Sequence, residues 1–224
     1  MYLIGIVGRA YYNKDNRDII QTRDEVRRYL NQRDDVVCIT LMPSNKERML
    51  DILEGEDTVD PKIDYILDKC DGFVVPGGSY GYHFDEYVIK YAIENDKPLL
   101  AMCLGFQTLC NMYAKERTKF DMTSKLEREN HYGGVDTYKH DLIIKKDTKL
   151  RNIIGEERIR VNSNHHDMVD FEMRDLVINS YSDDGVIEGV ELPNKRFILG
   201  LQWHPEYILD DNSKKILDSF LEKS

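Results

Sequence analysis

The sequence predicts an α/β fold: one three-layer domain with a mostly parallel central sheet, flanking helices and a strand-rich carboxy-terminal half. Three observations carry this. Over the first half, short apolar runs alternate with longer stretches of helical period, the pattern of parallel strands joined by crossover helices. From Asp141 onward, apolar runs follow one another closely and read as strands. No repeat, low-complexity tract or linker divides the 224 residues, a length suited to one large domain, expected over 1–224.

Taken in order, Leu3 to Val7 is the first buried strand. It lies too soon after Met1, and is too short, for a signal h-region or a membrane span. Arg17 to Asn31 places Ile20, Val26, Tyr29 and Leu30 among charges and predicts an amphipathic helix. Val36 to Thr40 is the second strand. Pro61 suits the first turn of a helix carrying Ile63, Ile66 and Leu67. Gly72 to Val75 is a strand, Phe84 to Glu94 a helix, Leu99 to Cys103 a strand, and Phe106 to Ala114 a helix. Lys115 to Lys139 is polar and irregular and reads as a loop, of the kind that shapes a substrate mouth. Strands follow at Leu142 to Ile144, Ile159 to Val161, Leu176 to Tyr181, Val186 to Leu192 and Phe197 to Gln202, and a closing helix at about 212–221 buries Ile216, Leu217 and Phe220.

Composition excludes some functions. Acidic residues outnumber basic ones 41 to 31, for a net charge of −10, and no Lys/Arg stripe tracks a phosphate backbone, so nucleic acid is not expected as a partner. Cys38, Cys70, Cys103 and Cys110 form no Cys-x-x-Cys clip and sit mostly in apolar runs, which suits reduced thiols and a cytoplasmic location. No membrane association is expected.

Chemistry concentrates at two strand ends. In Leu99-Leu100-Ala101-Met102-Cys103-Leu104-Gly105, a buried strand delivers a thiol to a sharp turn, Gly105 admits a close backbone pass, and the next helix aims its N–H dipoles at the sulfur. Those dipoles favour the thiolate, the attacking species. Taken alone, such a cysteine is more often a small core residue. Downstream, Leu201-Gln202-Trp203-His204-Pro205-Glu206 ends a second strand with a histidine and a carboxylate two apart. Pro205 bends the chain so that both side chains leave on the same side, and together they supply the base and orienter that a cysteine nucleophile needs. The adjacent His165 and His166 do not read as metal ligands, because neighbours in an extended segment diverge and no Asp/Glu/Cys set at ligand spacing accompanies them. No metal or other cofactor is expected.

These residues, with Val74-Val75-Pro76-Gly77-Gly78, Val161-Asn162-Ser163-Asn164-His165-His166-Asp167 and Asp184-Gly185-Val186-Ile187-Glu188-Gly189-Val190-Glu191, resemble the class I glutamine amidotransferase-like superfamily, most closely its γ-glutamyl-γ-aminobutyrate hydrolase (peptidase C26) branch. The match runs in order from about residue 72 to the carboxy terminus. The resemblance implies a flavodoxin-like sheet and a Cys103–His204–Glu206 triad that cleaves a γ-glutamyl amide through a thioester. It implies oxyanion donors at Leu104 and Gly78, with Gly77 the second choice for the latter, and substrate contacts from Gln107, Asn164 and His165; His166 is expected to be structural. The branch commonly carries arginine after its nucleophile. This chain has Leu104, as many glutamine amidotransferases do. The main expectation is a stand-alone hydrolase of a small γ-glutamyl substrate. One alternative is a glutaminase subunit delivering ammonia to a separate synthetase, and another is a catalytically silent binding module; a homodimer is compatible with each.

Overall fold

The computed structural model describes residues 1–12, 18–45, 59–79, 83–117, 123–126 and 129–224. In chain order it has β1 (Tyr2–Val7), a hairpin of β2 (Arg9–Tyr12) and β3 (Asp18–Gln21), α1 (Asp24–Leu30), β4 (Val36–Leu41), a 3-10 turn (Pro61–Ile63) running into α2 (Asp64–Leu67), β5 (Gly72–Val75), α3 (His83–Glu94), β6 (Leu99–Met102) and α4 (Leu104–Met112). There follow β7 (Ser124–Lys125), a 3-10 turn (Glu129–His131), β8 (Gly134–Ile144), α5 (Lys149–Ile154), β9 (Arg158–Ser163), β10 (Asp167–Met168), β11 (Val177–Ser182), β12 (Ile187–Glu191), β13 (Ile198–Leu201) and α6 (Asp211–Lys223).

Nine strands form one sheet in the order β4-β1-β5-β6-β13-β12-β11-β8-β9. The first five are parallel and the last four antiparallel, so the sheet runs through both halves of the chain. The inner parallel strands β5, β6 and β13 are buried on both faces, which explains their continuous apolar runs. Because side chains alternate, Phe73, Val75, Leu99 and Ala101 pack with Phe84 and Val88 of α3 and Phe106 of α4. Val74, Leu100 and Met102 pack on the other face with Val26 of α1, Leu150 of α5 and Phe220 of α6. The expected three-layer α/β architecture is therefore the observed one.

Several boundaries differ from expectation. The segment read as a helix from Arg17 opens instead with β3, because β-branched Ile19 and Ile20 pair across the hairpin with Tyr11 and Ala10; Arg17 itself lies outside the described residues. The segment read as a loop to Lys139 contains β7, a 3-10 turn and the first half of β8. Its strand is mostly exposed and pairs with β9 instead of burying an apolar face, so no alternation marks it. Residues 118–122 and 127–128 of that segment lie outside the described residues. Helix α5 went unread although its signals are present: Thr148 caps it, accepting from Arg151 N at 3.1 Å, and Gly155 ends it at φ +85°.

Candidate active site

Three parallel neighbours, β5, β6 and β13, end together, and Gly77, Gly78, Cys103, His204 and Glu206 stand just beyond their carboxyl ends, where α/β sheets place ligands. The register Leu100↔Leu199 and Met102↔Leu201 sets the residue after β6 beside those after β13, and Cys103 N donates to Leu201 O at 2.8 Å.

Cys103 sits at φ +49°, ψ −106°, a conformation that an L-residue with a side chain rarely adopts and that costs about 1–3 kcal/mol. The strand bond on one side and the first turn of α4, closed by Gln107 N to Cys103 O at 3.0 Å, hold it there. Gly105 permits the turn. A Cβ at this position would lie 2.2 Å from Val75 O, so the helix can approach the sheet only with glycine here.

His204 hydrogen-bonds through Nδ1 to Glu206 Oε1 at 2.8 Å, and Cys103 acts on the same ring electrostatically. All three side chains are nearly fully buried. Burial works against a charged His204, but Glu206 and Cys103 outweigh it and hold the imidazole well above its ordinary 6.5. The backbone of His204 is clasped by one amide: Asn162 Oδ1 accepts from His204 N at 3.0 Å and Asn162 Nδ2 donates to His204 O at 2.8 Å. Chemically, this is a thiol at a helix N-terminus beside an imidazole that is hydrogen-bonded to a carboxylate.

The loop after β5 closes the other side. A Cβ on Gly77 would lie 2.7 Å from His204 Cε1 and 3.2 Å from Cys103 Cβ, and one on Gly78 would meet the Arg9 side chain and Leu104. Arg9, which the sequence reading missed, is buried and pairs with buried Asp85. Its guanidinium donates to the carbonyls of Pro76 and of Gly77, the latter at 3.2 Å. In a trans peptide the N–H points opposite to the C=O, so pinning these two carbonyls fixes the direction of the Gly77 and Gly78 N–H groups.

The expected substrate contacts are placed differently from one another. Gln107 is buried, and its Nε2 donates to Gln202 Oε1 at 3.1 Å and Asp167 O at 3.2 Å. Asn164 is exposed. His165 is buried with both ring nitrogens engaged inside the protein, Nδ1 with Asp167 O at 2.9 Å and Nε2 with His131 Nδ1 at 3.2 Å. His166 is exposed and stacks on Tyr132, ring centroids 3.8 Å apart.

His165 belongs to a second polar cluster. His131, His140 and Glu188, each buried, bring one ligand-type atom apiece within 4.8 Å of one another. Burial pushes the Glu188 carboxyl up, but the facing His131 and His165 rings hold it down at about 2. Sequence spacing concealed this set, whose members come from a 3-10 turn, β8 and β12. A cavity of about 640 Å³ is lined by Met168 to Met173 and the β11–β12 turn and by none of Cys103, His204 or Glu206.

The peptidase C26 family profile matches residues 81–206. The chain is 27% identical over 210 residues to a glutamine amidotransferase-like protein of Rickettsia prowazekii, covering 66% of this chain and 75% of that one. It is 29% identical over 187 residues to the CTP synthase of Lactobacillus helveticus, covering 71% of this chain but only 35% of that much longer enzyme. Its fold matches the glutaminase domain of Trypanosoma brucei CTP synthase, solved with acivicin bound, at a TM-score of 0.67 and 19% identity, over 100% of this chain and 93% of that one. No helix among the described residues is long and apolar enough to cross a membrane.

Proposed function

This chain belongs to the peptidase C26 family, and we propose that it is a glutaminase, hydrolysing the side-chain amide of glutamine on Cys103 and passing the ammonia to a separate synthetase. The observation that carries the chemistry is the nucleophile elbow: Cys103 at positive φ, at the N-terminus of α4, facing Gly77 together with a His204 that hydrogen-bonds to Glu206. The choice of glutamine over a γ-glutamyl amine rests on two supports. The CTP synthase relatives favour it, and Leu104 stands where the γ-aminobutyrate branch commonly has arginine. The chain spans about a third of the length of those CTP synthases.

In this mechanism the Cys103 thiolate attacks the amide carbonyl carbon. The oxyanion that forms accepts from Leu104 N–H and Gly78 N–H, donors set in advance by the helix start and by Arg9. Collapse breaks the C–N bond while the His204 imidazolium protonates the departing ammonia. His204, now neutral, takes a proton from water as it attacks the thioester, and glutamate leaves with the thiolate restored. Glu206 holds the ring in the Nδ1–H tautomer and offsets the charge of the imidazolium. Gln107 lines the pocket one helical turn beyond the nucleophile, braced by Gln202.

Purified chain offered glutamine and a panel of γ-glutamyl amines separates the readings. Glutamate release from glutamine, slow alone and faster with the synthetase, is expected. Efficient unaided release from γ-glutamyl amines, with glutamine untouched, would return the assignment to the stand-alone hydrolase.

A further inference from the structure

We propose that His131, His140 and Glu188, with His165 beside them as a fourth donor, form a buried metal site that takes Zn²⁺. The outer partner of each ring sets its tautomer. His140 Nδ1 faces the Asp141 carbonyl at 3.2 Å and His165 Nδ1 faces the Asp167 carbonyl at 2.9 Å. His131 Nε2 faces the Asp184 carboxylate at 3.1 and 3.2 Å. Carbonyls and carboxylates only accept, so each of these nitrogens carries the ring's proton. In the neutral rings the opposite nitrogens, His131 Nδ1, His140 Nε2 and His165 Nε2, then hold lone pairs.

Those lone pairs are turned on one another and on a carboxylate. His131 Nδ1 lies 3.2 Å from both His165 Nε2 and Glu188 Oε1; burial opposes a second proton on this ring while Glu188 and Asp184 favour one, and a metal ion at the centre would take that proton's place. Glu188 Oε1 is 3.2 Å from His131 Nδ1, 3.4 Å from His165 Nε2 and 3.6 Å from His140 Nε2. Among the described residues, both Glu188 oxygens and His140 Nε2 are buried with no hydrogen bond of good geometry. Acceptors crowded in this way, in a dry interior, call for a shared cation.

The spacing fits the ion. With bonds of about 2.0–2.1 Å, a tetrahedral zinc has ligand–ligand edges of about 3.3 Å, close to the 3.2–3.6 Å between Glu188 Oε1 and the three ring nitrogens; His131, His140 and Glu188 form the compact set, and His165 would join it by closing on His140. The remote nitrogens, each pinned to a carbonyl or carboxylate, are the outer partners that orient zinc-ligating histidines. The site is closed, which marks it as structural. It would fasten the 3-10 turn at His131 and strands β8 and β12 to the loop whose Asp167 carbonyl also receives Gln107 from the nucleophile helix.

The test uses the full chain, free of any polyhistidine tag, stripped with a strong chelator and titrated with Co²⁺ and Zn²⁺; it does not depend on glutaminase activity. Expected are one equivalent of Co²⁺ with the intense visible bands of four-coordinate cobalt and a rise in Tm with Zn²⁺ of about 5 °C or more. Both should persist in Cys103→Ser and disappear in Glu188→Gln and His140→Gln. Should those two variants fail to fold, the titration of the wild-type chain decides alone. The proposal is overturned if the wild-type chain binds no cobalt in a four-coordinate spectrum, if Zn²⁺ leaves its Tm unmoved, if binding survives in both folded variants, or if it is lost in Cys103→Ser, which would put the metal on the catalytic thiol.

Discussion

Two buried histidine–carboxylate clusters stand on one sheet and are built to opposite ends. At the parallel half, His204 has Nδ1 on Glu206 and Cys103 acting on its ring, which in the proposed mechanism lets its proton pass from thiol to leaving group. At the antiparallel half, every ring is tied by its outer nitrogen to a protein acceptor, and the inner nitrogens converge on Glu188 with no nucleophile among them. Residue type therefore does not distinguish a catalytic histidine from a ligating one. The partner of its second nitrogen does.

The contrast can be broken at its strongest point first. Cys103→Gly should lower glutaminase turnover by at least about 10³-fold, since the nucleophile is gone. The same change relieves the positive φ and should raise stability by about 1 kcal/mol, read as a higher midpoint in urea. A loss of stability would mean that the elbow is not strained as described. Gly77→Ala comes next. Its new methyl would press on the His204 ring and reduce kcat by about 10²-fold with a smaller change in KM, measured by steady-state glutamate release.

Glu206→Gln tests the charge logic through pH. Since His204 is held above 6.5 in the folded chain, its proton stays on through neutrality, and activity falls as pH rises through that higher value. Removing the carboxylate should lower the alkaline limb of kcat/KM by about one pH unit or more. The same linkage acts on stability: this ring's contribution is full below about 6.5 and is lost as pH climbs through the folded-state value. Arg9→Met, which frees the Pro76 and Gly77 carbonyls, should have the smallest effect, about a tenfold loss in kcat as the oxyanion donors lose their fixed direction.

How far this was legible in the sequence follows the same division. The inner parallel strands were readable because burial on both faces leaves unbroken apolar runs such as Leu99 to Met102. The elbow and the His204-Pro205-Glu206 strand end were readable because each is local, a few residues whose geometry the chain sets by itself. Exposed strand Gly134 to Lys139 was not, since it gains its place from pairing with β9 and not from burying a face. Arg9 and the His131, His140, His165 and Glu188 cluster were not either. Arg9 meets Asp85 across 76 positions and His131 meets His165 across 34, and only tertiary structure closes such distances.

The central claim is that Cys103 attacks the amide and carries the glutamyl group. Intact-mass measurement of the chain mixed with glutamine and quenched in acid within the first turnover tests it most directly. The account predicts an adduct with the mass of one γ-glutamyl group, mapped by peptide sequencing to Cys103 and absent from Cys103→Ala. Glutamate release from wild type with no adduct, or with the adduct on Cys38, Cys70 or Cys110, would contradict it.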